Sequence, residues 1–224
     1  MKQDNNLCRE PAKYTKYIPC LSALLLGLVL AAEVRAQEPV LKKLLEESRA
    51  SGAAGNSAVV PVPKLENDFY DWHQRHNEVK ARIAKGPVDL IFVGDSIMHM
   101  FGGEPRSKIA RGAKIWEKYY AHRHAVNMGF GWDRTQNMLW RLQNGELDGV
   151  SPKVAVVMAG TNNLTGTNNA PANTPAEIVA GIEAICTTIH RKSPRTEILL
   201  LGVLPRAQAE LNPNSLLKNA GRSA

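Results

Sequence analysis

The sequence predicts an α/β domain in which a parallel sheet lies between helices, a three-layer α/β/α architecture. Three observations predict it. Four short apolar runs are continuous and not alternating, as expected of strands buried on both faces. Helical patterns separate these runs, and strand–helix–strand order implies right-handed crossovers. Three of the four runs end in glycine followed by polar residues, and that carboxyl edge is where function collects in such sheets. The pattern stops after the fourth run, so the sheet reads as cut short there.

The compact part is expected to start near Asn67. Phe69, Trp72, Val79 and Ile83 recur at helical spacing, with His76 on the same face. Val88 to Val93 is the first predicted strand, Ala125 to Met128 a shorter second, Val154 to Ala159 the third and Ile198 to Leu204 the fourth. A helix over Arg134 to Leu142 carries Met138, Leu139 and Leu142. Pro175 to His190 is better marked. Thr174 caps it, Pro175 suits its first turn, Glu177 completes a capping box, and Ile178, Ile182, Ile185 and Ile189 form the apolar face.

Two segments precede this domain. In residues 1–36, Lys2, Arg9, Lys13 and Lys16 lead into an apolar block from Leu21 to Ala32, and Val34-Arg35-Ala36 offers a cleavage site. That pattern predicts a secretory signal, hence a secreted or periplasmic product, with an uncleaved anchor as the alternative. The block is short for a membrane span, so no stable insertion is expected after cleavage. Residues 37–66, with Ser51-Gly52-Ala53-Ala54-Gly55 and then Pro61 and Pro63, read as a linker, leaving residues 67–224 as the domain.

Charge and cysteine usage exclude several classes. Without residues 1–36 the net charge falls from +7 to +5, and the remaining charges are mixed along the chain. That describes a solvated surface and not a nucleic-acid footprint. Cys8 and Cys20 leave with the signal and Cys186 stands alone, so neither a disulfide framework nor a zinc framework is expected. His73 and His76 have ligand-like spacing without a third ligand, and a helix face explains them better. No metal and no cofactor are expected.

The chemistry concentrates at the strand ends. The first strand ends in Gly94-Asp95-Ser96, the second in Gly129-Phe130-Gly131-Trp132-Asp133 and the third in Gly160-Thr161-Asn162-Asn163. A serine hydroxyl needs a base to become a nucleophile, whereas a serine that merely caps a helix contributes only about 1 kcal/mol. Ser96 fits either role when taken alone.

Together the three blocks resemble those of the SGNH, or GDSL, hydrolase family, with its flavodoxin-like sheet. The stretch from Asn127 to Leu147, with Pro152 to Asn163, is similar to the catalytic subunits of type Ib platelet-activating factor acetylhydrolase and their bacterial relatives. The resemblance runs from about Asp89 to about Pro213. It implies Ser96 as nucleophile and Asn162 as oxyanion donor, with a backbone N–H from the second block as another. That block usually has glycine where this chain has Trp132. Trp132 serves as donor if its φ is negative and is strained if the turn needs a positive φ, with Gly131 as the fallback. Asp95 and His99 are expected to line the site, with His99 as a remote candidate for the base. Asp133 is expected to cap the next helix, and Asn163 to hold a loop.

One family block is missing. Asp-x-x-His, which supplies base and orienting carboxylate, occurs nowhere in the 224 residues, and no aspartate follows Asp148. The expectation is a fragment of an esterase, inactive for want of the base. The rival is a non-catalytic relative that binds a carbohydrate or another partner; a nucleotide or flavin binder on the same layers is a second. The implied partner is a small acyl ester, acetyl in particular. An exported enzyme with a tryptophan at its cleft points to an acetylated glycan, and a homodimer is left open.

Overall fold

The structure, a computed structural model, describes residues 55–204. The expected signal and residues 37–54 of the expected linker lie outside the described residues.

Four parallel strands form one sheet in the order β2-β1-β3-β4: β1 Leu90–Gly94, β2 Ala125–Gly129, β3 Val154–Met158 and β4 Glu197–Leu200. Gly94 is level with Gly129 on one side and Met158 on the other, so the first three strands finish together. β4 is shorter than its apolar run. It pairs with β3 only as far as Val157↔Leu200, and Leu201 adds one bond to the Val157 carbonyl.

Strand alternation sorts the core into two faces. Ile91, Val93, Val126, Met128, Ala155 and Val157 pack on one side. There they meet α1 (Trp72–Ala84), α4 (Thr135–Arg141) and α5 (Pro175–Lys192) through Val79, Met138, Leu139, Ile185 and Ile189. Phe92, Ala125, Val156 and Met158 pack on the other side, against Met98 of α2 (Ser96–Phe101) and Trp116 of α3 (Ala113–Tyr119).

Local chemistry accounts for the helix ends. Asp71 caps α1 by accepting from the Gln74 N–H. Thr174 and Glu177 close the expected box on α5, with Pro175 in the first turn. Gly102, at φ 137, ends α2. α4 runs into a π-type turn, Leu142–Glu146, which Gly145 breaks at φ 109.

A charged cluster lies inside the apolar layer. Arg141 is fully buried, stacks 3.8 Å from the Phe130 ring centroid, and pairs with Asp133 and Glu146. Glu146 also holds His76, whose other ring nitrogen meets the Asn144 carbonyl. His76 is therefore tied into the interior, not set on a solvated face.

The linker expectation does not hold for residues 56–66. Ala58 is fully buried, its carbonyl accepts from the Thr135 hydroxyl, and the Val62 N–H donates to the Gln136 carbonyl. Asn56 donates to the Glu177 carbonyl, so this strap crosses α4 and α5. Proline and polar residues disguised it, because its anchors are backbone groups and polar side chains such as Asn56, which carry no hydrophobic period.

Candidate active site

β1 turns into α2 with only Asp95 between them. A Cβ on Gly94 would sit 2.5 Å from the Met98 Cγ, so glycine lets the helix double back over its own strand. Asp95 is the cap: its Oδ1 accepts from the Ile97 N–H at 2.9 Å. Ser96 is the first helical residue, and the capping alternative for Ser96 is thereby removed. Its N–H belongs to the turn that lacks intrahelical acceptors. Ser96 lines a cavity of about 260 Å3 together with Asp95, Trp132 and Asn162.

β2 holds that helix from below. The Asn127 carboxamide donates to the Met98 and Gly102 carbonyls, and its oxygen accepts from the Gly129 N–H. A Cβ on Gly129 would come within 2.2 Å of the His99 nitrogen, so glycine is what lets α2 seat there. Arg75 donates to the Gly129 carbonyl at 2.7 Å and to the Pro105 carbonyl at 3.1 Å.

The next turn spans Phe130 to Asp133, closed by the Asp133 N–H on the Phe130 carbonyl. Trp132 is its third residue and has φ 58, a place that favours glycine. The strain foreseen for a tryptophan here is present, but the expected condition of a negative φ does not decide the donor, because the peptide plane and not φ sets where the Trp132 N–H points. The Gly131 carbonyl accepts from Lys64 Nζ and from the Tyr70 hydroxyl, each at 3.0 Å. Burial, then Asp133 and Asp68, push the Tyr70 hydroxyl far above its usual range, so it remains a donor. A planar trans peptide aims the Trp132 N–H opposite to that pinned carbonyl. The Gly131 N–H is taken: it donates to His99 Nδ1 at 3.1 Å. Gly131 therefore cannot be the fallback donor.

His99 is also corrected. It is buried, does not line the cavity with Ser96, and packs against Tyr70 and Phe69 at 4.6 and 5.8 Å. Burial, with Arg75, Arg141 and Lys64 adding to it, lowers its pKa to about 3. A neutral ring whose Nδ1 lone pair is occupied is no base for Ser96; it props up the Gly131 turn.

Two residues past the end of β3, Gly160, φ 110, caps a 3-10 turn over Thr161–Leu164. Asn162 Nδ2 donates to the Asp133 carbonyl at 3.0 Å. A carboxamide has two N–H groups, so one remains for the cavity. Asn163 turns inward, accepting from the Thr135 N–H and donating to Gln136 and Asn173, which is the loop role expected of it. Asp133 does not cap α4. Its carboxylate accepts from the Trp72 indole and from Arg141, each at 2.7 Å, while Asn137 supplies the capping contact. Burial raises the Asp133 pKa to about 6, against the pull of Arg141 and Trp72.

Lys64, Tyr70, Arg75 and Asn127 were not anticipated. Each acts on residues 25 to 67 positions away, beyond any local spacing. Among the described residues, no histidine lines the Ser96 cavity, and no group of three or more His, Cys, Asp or Glu is placed to hold a metal.

A parallel α/β sheet whose first three strands end in Gly-Asp-Ser, a glycine-rich turn and Gly-Thr-Asn defines the SGNH class of hydrolases. The chain belongs to the GDSL-like Lipase/Acylhydrolase family, whose sequence model matches residues 92–222. It is 36% identical over 170 residues to platelet-activating factor acetylhydrolase IB subunit alpha2 of Homo sapiens, a match covering 74% of this chain and 66% of that one. It is 33% identical over 168 residues to subunit alpha1 of Rattus norvegicus, covering 74% and 64%. The chain thus spans somewhat under two thirds of the length of these relatives. Among solved structures, AlinE4, an SGNH-hydrolase family esterase, matches with a TM-score of 0.41 at 26% identity, over 57% of this chain and 64% of that one.

Proposed function

We propose that this protein is a serine esterase of short acyl chains, acetyl first, with Ser96 as nucleophile. One observation carries the reading: Ser96, Trp132 and Asn162 line a single cavity at the ends of β1, β2 and β3. The Ser96 Oγ attacks the acyl carbon, and charge builds on the acyl oxygen. The Ser96 N–H, the Trp132 N–H and the second N–H of Asn162 answer that charge; losing one such donor typically costs about 2.7–4 kcal/mol. The carbon–oxygen bond to the alcohol then breaks, the alcohol leaves with a proton, and water releases the acid from the seryl ester. The acetyl preference is supported by the acetylhydrolase names of the relatives.

The proton must be taken by a base, and the 224 residues carry no Asp-x-x-His. By themselves they are expected to turn over slower by several orders of magnitude than a complete triad, with residual rate from the oxyanion donors. Export remains part of the proposal and rests on the pattern of residues 1–36.

Hydrolysis of p-nitrophenyl acetate, with and without added imidazole as an external base, tests the assignment. Ser96-dependent release of nitrophenol, raised by imidazole above its rate in buffer, is the expected result. Asn162→Ala should lower that rate by about 100- to 1,000-fold. Equal rates for the parent and Ser96→Ala under both conditions would sink the enzyme reading and leave a binding module.

A further inference from the structure

We infer that Lys64 and Tyr70 are positioning residues for the Ser96 site, acting through the Gly131–Trp132 peptide to orient the Trp132 N–H and to strengthen it as a donor. The inference rests on the reading of the Ser96 cavity as an acyl-ester site.

One peptide group joins these side chains to the site. The Gly131 carbonyl and the Trp132 N–H belong to the same planar amide, so what binds the oxygen acts on the nitrogen. Lys64 Nζ and the Tyr70 hydroxyl both donate to that oxygen at 3.0 Å. Density drawn toward the oxygen leaves the N–H more positive, and linked hydrogen bonds strengthen one another in this way. The preceding amide is fixed as well, since the Gly131 N–H donates to His99 Nδ1 at 3.1 Å. Gly131 is thus clamped through both of its peptide groups.

Lys64 makes the clamp more than turn closure. Its side chain is only 3% exposed, and a lysine is rarely buried unless its charge is paired. Asp68 supplies the pairing charge, yet the positive end of the pair is the end that touches Gly131. Closure alone is already provided by the Asp133 N–H on the Phe130 carbonyl. Glycine at 131 admits the clamp: a Cβ there would lie 3.0 Å from the Tyr70 ring and 3.3 Å from the Asp68 carboxylate. Trp132, at φ 58, sits in a conformation unfavourable to a tryptophan, which persists only where the surroundings over-determine it.

The benefit belongs to the transition state. As charge builds on the acyl oxygen, the Trp132 N–H is polarised further and more density reaches the Gly131 oxygen. Lys64 and Tyr70 stabilise that density. An interaction that strengthens only as the reaction proceeds appears in kcat and not in KM.

Two readouts on the full chain test the assignment. The first is NMR of protein carrying isotopically labelled tryptophan. The chain has four tryptophans, hence four backbone amide signals, and Trp132→Phe identifies the one of interest. Tyr70→Phe and Lys64→Gln should each move the Trp132 amide upfield in nitrogen and proton, and leave the amide of Trp116, on the opposite face of the sheet, in place. The second is imidazole-supported hydrolysis of p-nitrophenyl acetate. Each variant should lower kcat about tenfold, less than the loss of a whole donor, with KM within about twofold of the parent. An unmoved Trp132 amide in both variants overturns the inference, and so does Ser96-dependent hydrolysis whose kcat neither variant lowers. If circular dichroism shows Lys64→Gln unfolded, Tyr70→Phe decides alone, because it deletes one hydroxyl and keeps the ring against His99. The two readings fail separately. A shifted amide alongside hydrolysis indifferent to Ser96 keeps the clamp and removes the esterase. Ser96-dependent hydrolysis with an unmoved amide does the opposite.

Discussion

The two faces of the sheet are built to different standards. On one, α1, α4 and α5 lie over Ile91, Val93, Val126, Ala155 and Val157, and Ile178, Ile185 and Ile189 are completely buried. On the other, α2 and α3 cover β1 and β2, but a cavity of about 940 Å3 opens over β3 and β4. Phe92, Val156, Met158 and Leu199 line it, and Leu199 and Leu204 are 54% and 52% exposed. Among the described residues nothing fills that space. Among the described residues the closed face carries the fuller apolar packing, and the Ser96 corner stands at the border between the two.

Substitutions sharpen the contrast. Ile185→Ala on the closed face should cost about 2–5 kcal/mol in urea unfolding, while Leu199→Ala on the open face should cost under about 1 kcal/mol. Comparable losses at both positions would mean that the open face is covered in solution. Leu199→Lys, placed on an exposed apolar edge strand, should reduce aggregation without lowering the unfolding midpoint.

His99 probes the border by pH. Its folded pKa, about 3, lies below the ordinary 6.5, so between these values the unfolded chain binds the extra proton. The stability this confers is full above pH 6.5 and is lost as pH falls toward 3, at about 1.4 kcal/mol per unit. Asp133 works in reverse: with a pKa raised from 3.8 to about 6, it loses stability as pH rises through that window. His99→Asn keeps an acceptor for the Gly131 N–H and removes only the first contribution. Its stability should fall less steeply than the parent's on acidification; parallel curves would refute the assignment.

Two smaller effects complete the series. Trp132→Gly should stabilise by about 1 kcal/mol, because glycine adopts φ 58 without strain. Thr174→Ala should cost about 1 kcal/mol through the lost cap of α5. Differential scanning calorimetry resolves both.

The legible parts of the fold were those written in local chemistry. β1 and β3 appear as unbroken apolar runs because both faces of each are buried, and β2 does so except for Asn127. α5 announces itself through Thr174, Pro175, Glu177 and its isoleucines. Ser96, Trp132 and Asn162 line one cavity because a parallel sheet puts the carboxyl ends of its strands on one edge. Position along the chain misled for His99: three residues past Ser96 suggested a shared cleft, but Gly131 claims its ring nitrogen from the turn after β2. The strap over residues 56–66 and the helix Ala113–Tyr119 went unseen. The strap is fixed by hydrogen bonds to distant helices, through its backbone and through Asn56. The helix is seven residues long and buries little besides Trp116.

The Asn127 clasp carries a consequence for substrate range. By holding the carbonyls of Met98 and Gly102 at the far end of α2, it makes Ser96 the fixed end of a lever whose other end is bolted down. Under the proposed esterase reading, differences in ester size then fall to the cavity wall formed by the exposed Trp132 indole, while the Ser96 oxygen keeps its address.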